Sequence, residues 1–197
     1  MLQENNNQVS EIYQVNQINH LQEQIDTLQA KITSLENSKK DQLSIAIVSG
    51  DMDKILAAMI ISLGAAALDT HVKLFFSFWS LSALRDNKKK AEGKDLISKM
   101  FGIMLPRGRN KLKLSNMNMA GMGPLMIKYL MKKQGVLSLD QMFKEAGELG
   151  IEITVCEMSM NLMGFRKEEM IDYPNLRYAG AVTFVSEANE SSMQLFI

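Results

Sequence analysis

The chain holds a single cysteine, and its surroundings favour reactivity. Cys156 ends the run Ile151-Glu152-Ile153-Thr154-Val155, whose alternation of β-branched and polar residues predicts a strand. A Met/Leu segment with helix-like character follows. In open α/β folds, ligands bind outside the carboxyl ends of strands. A thiol at such a point also faces the positive end of the next helix, which favours the nucleophilic thiolate. Strand parity places Cys156 on the side of Glu152 and Thr154 and opposite Ile151, Ile153 and Val155. Two readings follow: a thiol that carries sulfur or reducing equivalents, or a small buried hydrophobe. Glu157, if turned inward, would raise the thiol pKa, or could instead serve as a local acid or base.

Arg107, Arg109, Lys111 and Lys113 crowd the stretch Pro106–Lys113. Such a stretch is either a solvated loop or an anion pocket, able to hold thiosulfate, a persulfide or a phosphate-bearing carrier. Ala120-Gly121-Met122-Gly123-Pro124 falls short of a dinucleotide fingerprint, since the third spaced glycine and the preceding strand are missing. The amides around Gly121 and Gly123, just before a helix opened by Pro124, are anion-binding candidates. Met117, Met119 and Met122 cluster, as do Met158, Met160 and Met163. With no histidine beside them, adaptable packing is the expectation rather than Cu(I) ligation. His20 and His71 have no metal-ligand neighbour in sequence and suggest no Ser-His-Asp or Cys-His-Asn set. No metal and no cofactor is expected.

The elements that must position these residues begin at about Leu43. Leu43, Ile45 and Ile47, with Ala46 and Val48, form an apolar strand suited to a sheet covered on both faces. Ser49-Gly50-Asp51 makes the turn, with Asp51 as N-cap, and a helix of about Met52 to Leu68 is apolar all round. Strands are expected at about His71–Phe78, before Cys156, at Ala181–Val185 and in Leu195–Ile197. Trp79–Arg85 reads as a short helix, and Leu96–Leu105 as a helix or a flap over the site. Ser138-Leu139-Asp140-Gln141 is a capping box that opens a helix closed by Gly150. Strands alternating with helices imply parallel βαβ units.

Ahead of this α/β part lies a different pattern. Ile18, Ile25 and Ile32 fall at heptad position a, and Leu21, Leu28 and Leu35 at d, which reads as the seam of a parallel two-stranded coil in preference to a solitary amphipathic helix folded back on its own domain. About three heptads span about 30 Å. The expected organisation is a disordered tail over 1–10, a coiled-coil helix over 11–40 with a hinge at Lys39–Gln42, and an α/β domain over 43–197. Basic and acidic residues balance at 22 each, which argues against a nucleic-acid binder that relies on an overall positive field. One cysteine allows no intrachain disulfide and fits a reducing compartment. No signal peptide is read at the amino terminus. The longest apolar run, Ile55–Leu68, is too short for a membrane span.

Four stretches, in order, resemble one family: Ser49-Gly50-Asp51-Met52-Asp53-Lys54, Phe75-Phe76-Ser77-Phe78-Trp79-Ser80-Leu81, the run from Lys113 to Gly123, and Cys156-Glu157-Met158-Ser159-Met160-Asn161-Leu162-Met163-Gly164. They are similar to the DsrE/DsrF-like family, and to its branch labelled peroxiredoxin-like, over about Leu43 to Ile197. No peroxidatic motif or resolving cysteine accompanies that label. The resemblance implies a three-layer α/β/α fold with a mainly parallel sheet, a cytoplasmic location, and homo-oligomers such as trimers or hexamers. It also implies sulfur transfer through one cysteine, matched here by Cys156, with rhodanese-like enzymes or small sulfur carriers as partners. A two-stranded coil on a trimeric core would give a hexamer of paired trimers. The expected function is therefore a sulfur carrier or sulfurtransferase-like protein. The alternatives are a non-catalytic oligomeric scaffold with an inert cysteine, and a small-ligand or nucleotide binder at the Gly50-Asp51 turn and the Gly121 loop.

Overall fold

The computed structural model describes residues 2–38, 40–89, 91, 93 and 96–197. The chain divides into two compact units, residues 1–40 and 41–197.

The first unit is one helix, α1 (Leu2–Ser38). No proline or glycine interrupts it, so nothing in the backbone forces a break. The first residues, expected as a frayed tail, continue this helix from Leu2. Ile18, Leu21, Ile25, Leu28 and Ile32 are each between 46% and 62% exposed. The side chain of Leu35, the last seam position, lies outside the described residues, as does Lys39 of the expected hinge.

The second unit is built on β1 (Lys40–Ile47), which includes Lys40–Gln42 of the expected hinge. It is followed by α2 (Met52–Ala66) and β2 (His71–Phe76). A 3-10 helix spans Phe78–Leu84. Then come α3 (Leu96–Met104), α4 (Met122–Lys133) and α5 (Leu139–Glu148). The chain returns through β3 (Glu152–Cys156), α6 (Glu157–Leu162), β4 (Leu176–Ala179), α7 (Ala181–Glu190) and β5 (Ser191–Phe196).

The strands form one five-stranded sheet in the order β4-β3-β2-β1-β5. β1 to β4 pair in parallel, with Ile45 opposite Leu74, Leu74 opposite Ile153 and Cys156 opposite Ala179. At the other edge the Ile197 amide donates to the Ala46 carbonyl, and the Ile197 carbonyl accepts from the Val48 amide, both at 2.8 Å. That staggered exchange is the parallel pattern. The chain steps from β1 to β4 in one direction and then crosses back to β5. Right-handed crossovers therefore place α7 on the face opposite α2 and α5. Neighbouring residues of β2 register this division. Phe76 packs toward Phe143 of α5 at 6.1 Å, whereas Phe75 stacks on Phe184 of α7 at 5.1 Å.

The α2/α5 side is the apolar one. Leu43, Ile45, Ile47, Leu74, Phe76, Ile153 and Val155 are buried there with Met52, Ile55 and Met59 of α2. The α7 side carries a polar ladder instead. Gln42 donates to Ser191 at 2.7 Å, and Lys73 and Arg177 both reach Glu187 at 2.9 Å. Arg177 also pairs with Glu152, which takes His71 on its other oxygen.

Two sequence expectations are corrected. Ala181–Val185, read as a strand, opens α7. Phe184, Glu187, Ala188 and Ser191 recur at helical spacing and meet the sheet, while Val182 and Val185 turn outward at 83% and 64% exposure. The strand of this region is Leu176–Ala179, four residues too short to declare itself by alternation. Asp51 does stand at the N-cap of α2, but its carboxylate accepts the Ser49 hydroxyl at 2.9 Å rather than a helix amide.

Candidate functional site

The carboxyl edge of the sheet is where Cys156 lies, as the last residue of β3 and the residue before α6. It is 1% exposed, yet its surroundings are polar. The Ser159 hydroxyl donates to Cys156 Sγ at 3.3 Å. The Ser77 and Ser159 hydroxyl oxygens lie 2.8 Å apart. Burial pushes the thiol pKa up. The hydroxyl and amide of Ser159, the hydroxyl of Ser77 and the amide of Met158 together outweigh that and hold the thiol below its ordinary value. Donors that converge on a sulfur favour its anion over the neutral thiol.

The 3-10 helix fixes Ser77 in that position. Its amide donates to the Ile47 carbonyl at 2.9 Å and to Ser80 Oγ at 3.0 Å. Ser80 Oγ in turn donates to the Ile47 carbonyl at 2.6 Å. The Ser80 amide donates to the Val48 carbonyl at 3.1 Å. Ser77 and Ser80 after β2, with Ser159 after β3, thus tie the ends of β1, β2 and β3 together. Phe78 adopts φ 49°, a region that a non-glycine residue enters only at some cost. Gly50 lies against this turn, and a Cβ on it would come within 2.6 Å of the Trp79 carbonyl oxygen. Phe78 and Trp79 remain partly exposed at the rim.

Glu157 does not turn toward the thiol. Its carboxylate pairs with Lys167 at 2.8 Å, and Lys167 lies over the Tyr178 ring at 4.5 Å. The adjacent negative charge is thereby neutralised by a partner of its own.

The structure does not join the basic loop to Cys156. Arg109 pairs with Asp140 at 2.8 Å and lies over Phe143 at 4.6 Å, on the α5 side of the sheet. Burial raises the Asp140 carboxyl, but hydrogen bonds from Arg109 and Asn110 prevail and hold it below the usual carboxylate range. Arg107 lines a separate cleft with Lys111 and Lys113. Gly121 adopts φ 96° at the start of α4. The amides of Gly121 and Gly123 donate to the Asn118 carbonyl, so both are spent inside the chain. A Cβ on Gly123 would overlap the Met117 carbonyl.

Met160 and Met163 are buried and serve packing, whereas Met117, Met119, Met122 and Met158 are more than half exposed. Among the described residues, no group of three or more His, Cys, Asp or Glu could hold a metal ion. His20 sits on α1 beside Gln24, and His71 pairs with Glu152.

Sequence reasoning missed the serines around the sulfur and a buried ion pair. Arg85 is 1% exposed and reaches Glu169 at 3.2 Å, the Gly102 carbonyl at 3.1 Å and the Phe165 ring at 4.4 Å. Only the polar interruptions Ser77, Ser80 and Ser82 within an apolar run could have flagged the first. The second joins residues 84 apart and leaves no local mark.

Comparison with known proteins gives this arrangement its relatives. The DsrE/DsrF/DrsH-like family matches residues 39–196. The uncharacterized protein YrkE of Bacillus subtilis (strain 168) is 46% identical over 154 residues, covering 78% of this chain and 95% of YrkE. The sulfur carrier protein DsrE2 of Allochromatium vinosum is 32% identical over 163 residues, covering 81% of this chain and 99% of DsrE2. The crystal structure of the ychN protein from E. coli aligns with a TM-score of 0.45 at 10% identity, over 79% of this chain and 99% of that chain. No helix among the described residues is long and apolar enough to cross a membrane.

Proposed function

The chain belongs to the DsrE/DsrF/DrsH-like family, and we propose that it carries sulfur on Cys156. The observation that supports this reading is the convergence of Ser159, Ser77 and the α6 amides on one depressed thiol. The similarity to a sulfur carrier protein points the same way. The Cys156 thiolate attacks the outer sulfur of a donor persulfide, forming a new S–S bond and releasing the donor as a thiolate. With thiosulfate as donor, the same attack releases sulfite. An acceptor thiolate then takes the outer sulfur and restores the Cys156 thiolate. Sulfur changes hands without any external oxidant or reductant. The donors that bound Sγ also suit a terminal persulfide anion, which is a charge of the same sign on the neighbouring atom.

At 1% exposure the sulfur is reached only when a bordering segment moves. The 3-10 helix with Ser77 and α6 with Ser159 are those segments. Donors and acceptors of the rhodanese-like or small sulfur-carrier kind would have to dock on this edge of the sheet. Exposure of the protein to persulfide or thiosulfate, followed by intact mass and peptide mapping, tests the reading. The expected result is one added sulfur atom on Cys156, lost on treatment with a small thiol and absent from Cys156→Ser. A thiol left unmodified by every donor would remove the carrier role.

A scaffold role draws on a different observation. Val182 and Val185 of α7, with Met193 and Phe196 of β5, are all more than half exposed. Together with the exposed seam positions of α1 they suit self-association, as the trimers or hexamers that the family resemblance implies require. Mass measurement of the full chain and of residues 41–197 tests both contacts; identical oligomers would leave the α1 seam without a role.

A further inference from the structure

The carboxyl end of β1 borders a cavity of about 280 Å³. Its wall includes Asp51, Trp79, Ser82 and Lys113. A second cavity of about 420 Å³ shares Met104–Pro106 and Lys113 with the first and continues to Arg107 and Lys111. The two cavities adjoin along that wall, and Lys113 lines both; together they make a cleft region of the size that small ligands occupy. By strand spacing it lies about 10 Å from Cys156, two strands along the same edge.

Ser82 is 2% exposed, and its hydroxyl has no hydrogen-bond partner among the described residues. A buried hydroxyl left so is unfavourable unless something else engages it. Arg107, Lys111 and Lys113 stand within one short stretch, and none is paired with a carboxylate among the described residues. The buried Nε of Arg107 also lacks a partner. Their neighbour Arg109 is paired through Nε with the Asp140 carboxylate, so the contrast in ion pairing is local. Trp79, half exposed, also lines the cleft. Asp51 uses one carboxylate oxygen on Ser49 and leaves the other without a hydrogen bond among the described residues.

The wall is held firmly. Arg85 donates to the carbonyls of Gly102, Leu105 and Pro106. The Gly108 amide donates to the Ser82 carbonyl at 3.0 Å, at a φ of 87° that favours glycine. The Lys113 carbonyl accepts the Met52 amide at 2.7 Å. A cleft whose walls are fixed before binding loses little on closing around a ligand.

We propose that this cleft binds a phosphorylated small molecule that carries a flat ring, of the mononucleotide class. The phosphate lies among Arg107, Lys111 and Lys113, and the ring lies against Trp79. The Ser82 hydroxyl and the Asp51 carboxylate take the polar edges between. Gly121 and Gly123 have no part in it. The site is independent of any chemistry at Cys156.

Trp79 is the only tryptophan in the chain, so its fluorescence reports on the cleft. Titration of the full chain with AMP, inorganic phosphate and adenosine tests the proposal. Saturable quenching by AMP is expected, with phosphate and adenosine each at least about tenfold weaker. Lys113→Ala and Arg107→Ala should each weaken AMP by about tenfold or more. Ser82→Ala should weaken AMP while melting no lower than the parent, which separates a ligand role from a structural one. Cys156→Ser should bind AMP as the parent does, so loss of sulfur loading and loss of AMP binding read out separately. Absence of saturable quenching, phosphate binding as well as AMP, or indifference to Lys113→Ala would each overturn the proposal.

Discussion

Replacing Ser159 by alanine isolates the contact that most directly favours a charged sulfur. The Ser159 hydroxyl lies 3.3 Å from Cys156 Sγ. A hydrogen bond to an ionised group contributes about 1.5–3 kcal/mol. Sulfur is a diffuse acceptor, so the lower figure applies, and about 1.5 kcal/mol is about tenfold in the thiol–thiolate equilibrium. The variant keeps the amides of Met158 and Ser159, so part of the stabilisation survives. Loss of a donor raises the thiol pKa, so fewer thiolates exist at neutral pH. The assay is the rate of alkylation by iodoacetamide across pH. At neutral pH Ser159→Ala should react about tenfold more slowly, and the two proteins should converge in alkaline solution. Local opening precedes reaction in both, because Sγ is almost fully buried. Unchanged rates at neutral pH would refute the reasoning. A deficit constant at every pH would also refute it, since that marks altered access rather than altered ionisation.

Other perturbations address the frame around the sulfur. Glu169→Gln leaves the Arg85 guanidinium buried without its carboxylate and should cost about 3–5 kcal/mol in urea unfolding; a loss under about 1 kcal/mol would contradict this account of the pair. Glu187 is raised by burial but held below its ordinary value of 4.5 by Lys73 and Arg177. Its contribution is therefore complete above about pH 4.5 and lost as pH falls through the depressed value. Glu187→Gln should be less stable at neutral pH and lose less on acidification to about pH 3, as read by urea melts at both. Gly50→Ala drives a Cβ to within 2.6 Å of the Trp79 carbonyl oxygen. It should destabilise by about 1–3 kcal/mol and shift Trp79 fluorescence; a native spectrum would mean that the turn yields freely.

The parts of the fold that sequence revealed are those governed by nearby residues. Alternation from Ile151 to Val155 marks β3 and sets Cys156 at its tip on the polar side, where the structure has it. The Ser138–Gln141 capping box forms as its spacing suggests. Pro124 lies in the first turn of α4. The failures share a different cause. Ala181–Val185 has a β-branched composition, but its burial is set by the sheet below, which requires a helix face of Phe184, Glu187 and Ala188. Ser77 and Ser159 meet beyond the ends of the neighbouring strands β2 and β3 from positions 82 apart, and no local pattern announces such a meeting. The basic stretch was visible as charge. Its division into an Arg109 paired with a carboxylate and an Arg107 paired with none among the described residues depended on where Asp140 arrives in three dimensions.

The solitude of Cys156 has a kinetic consequence. A sulfhydryl with no second one in its own chain cannot unload itself by closing a ring. Under the proposed carrier role, the sulfur it acquires leaves only to a thiol outside its own chain, so discharge to a separate acceptor is second order and scales with the abundance of that acceptor. In a cell poor in takers the loaded form would accumulate, and the ratio of loaded to empty chains would then report how well the downstream step is supplied.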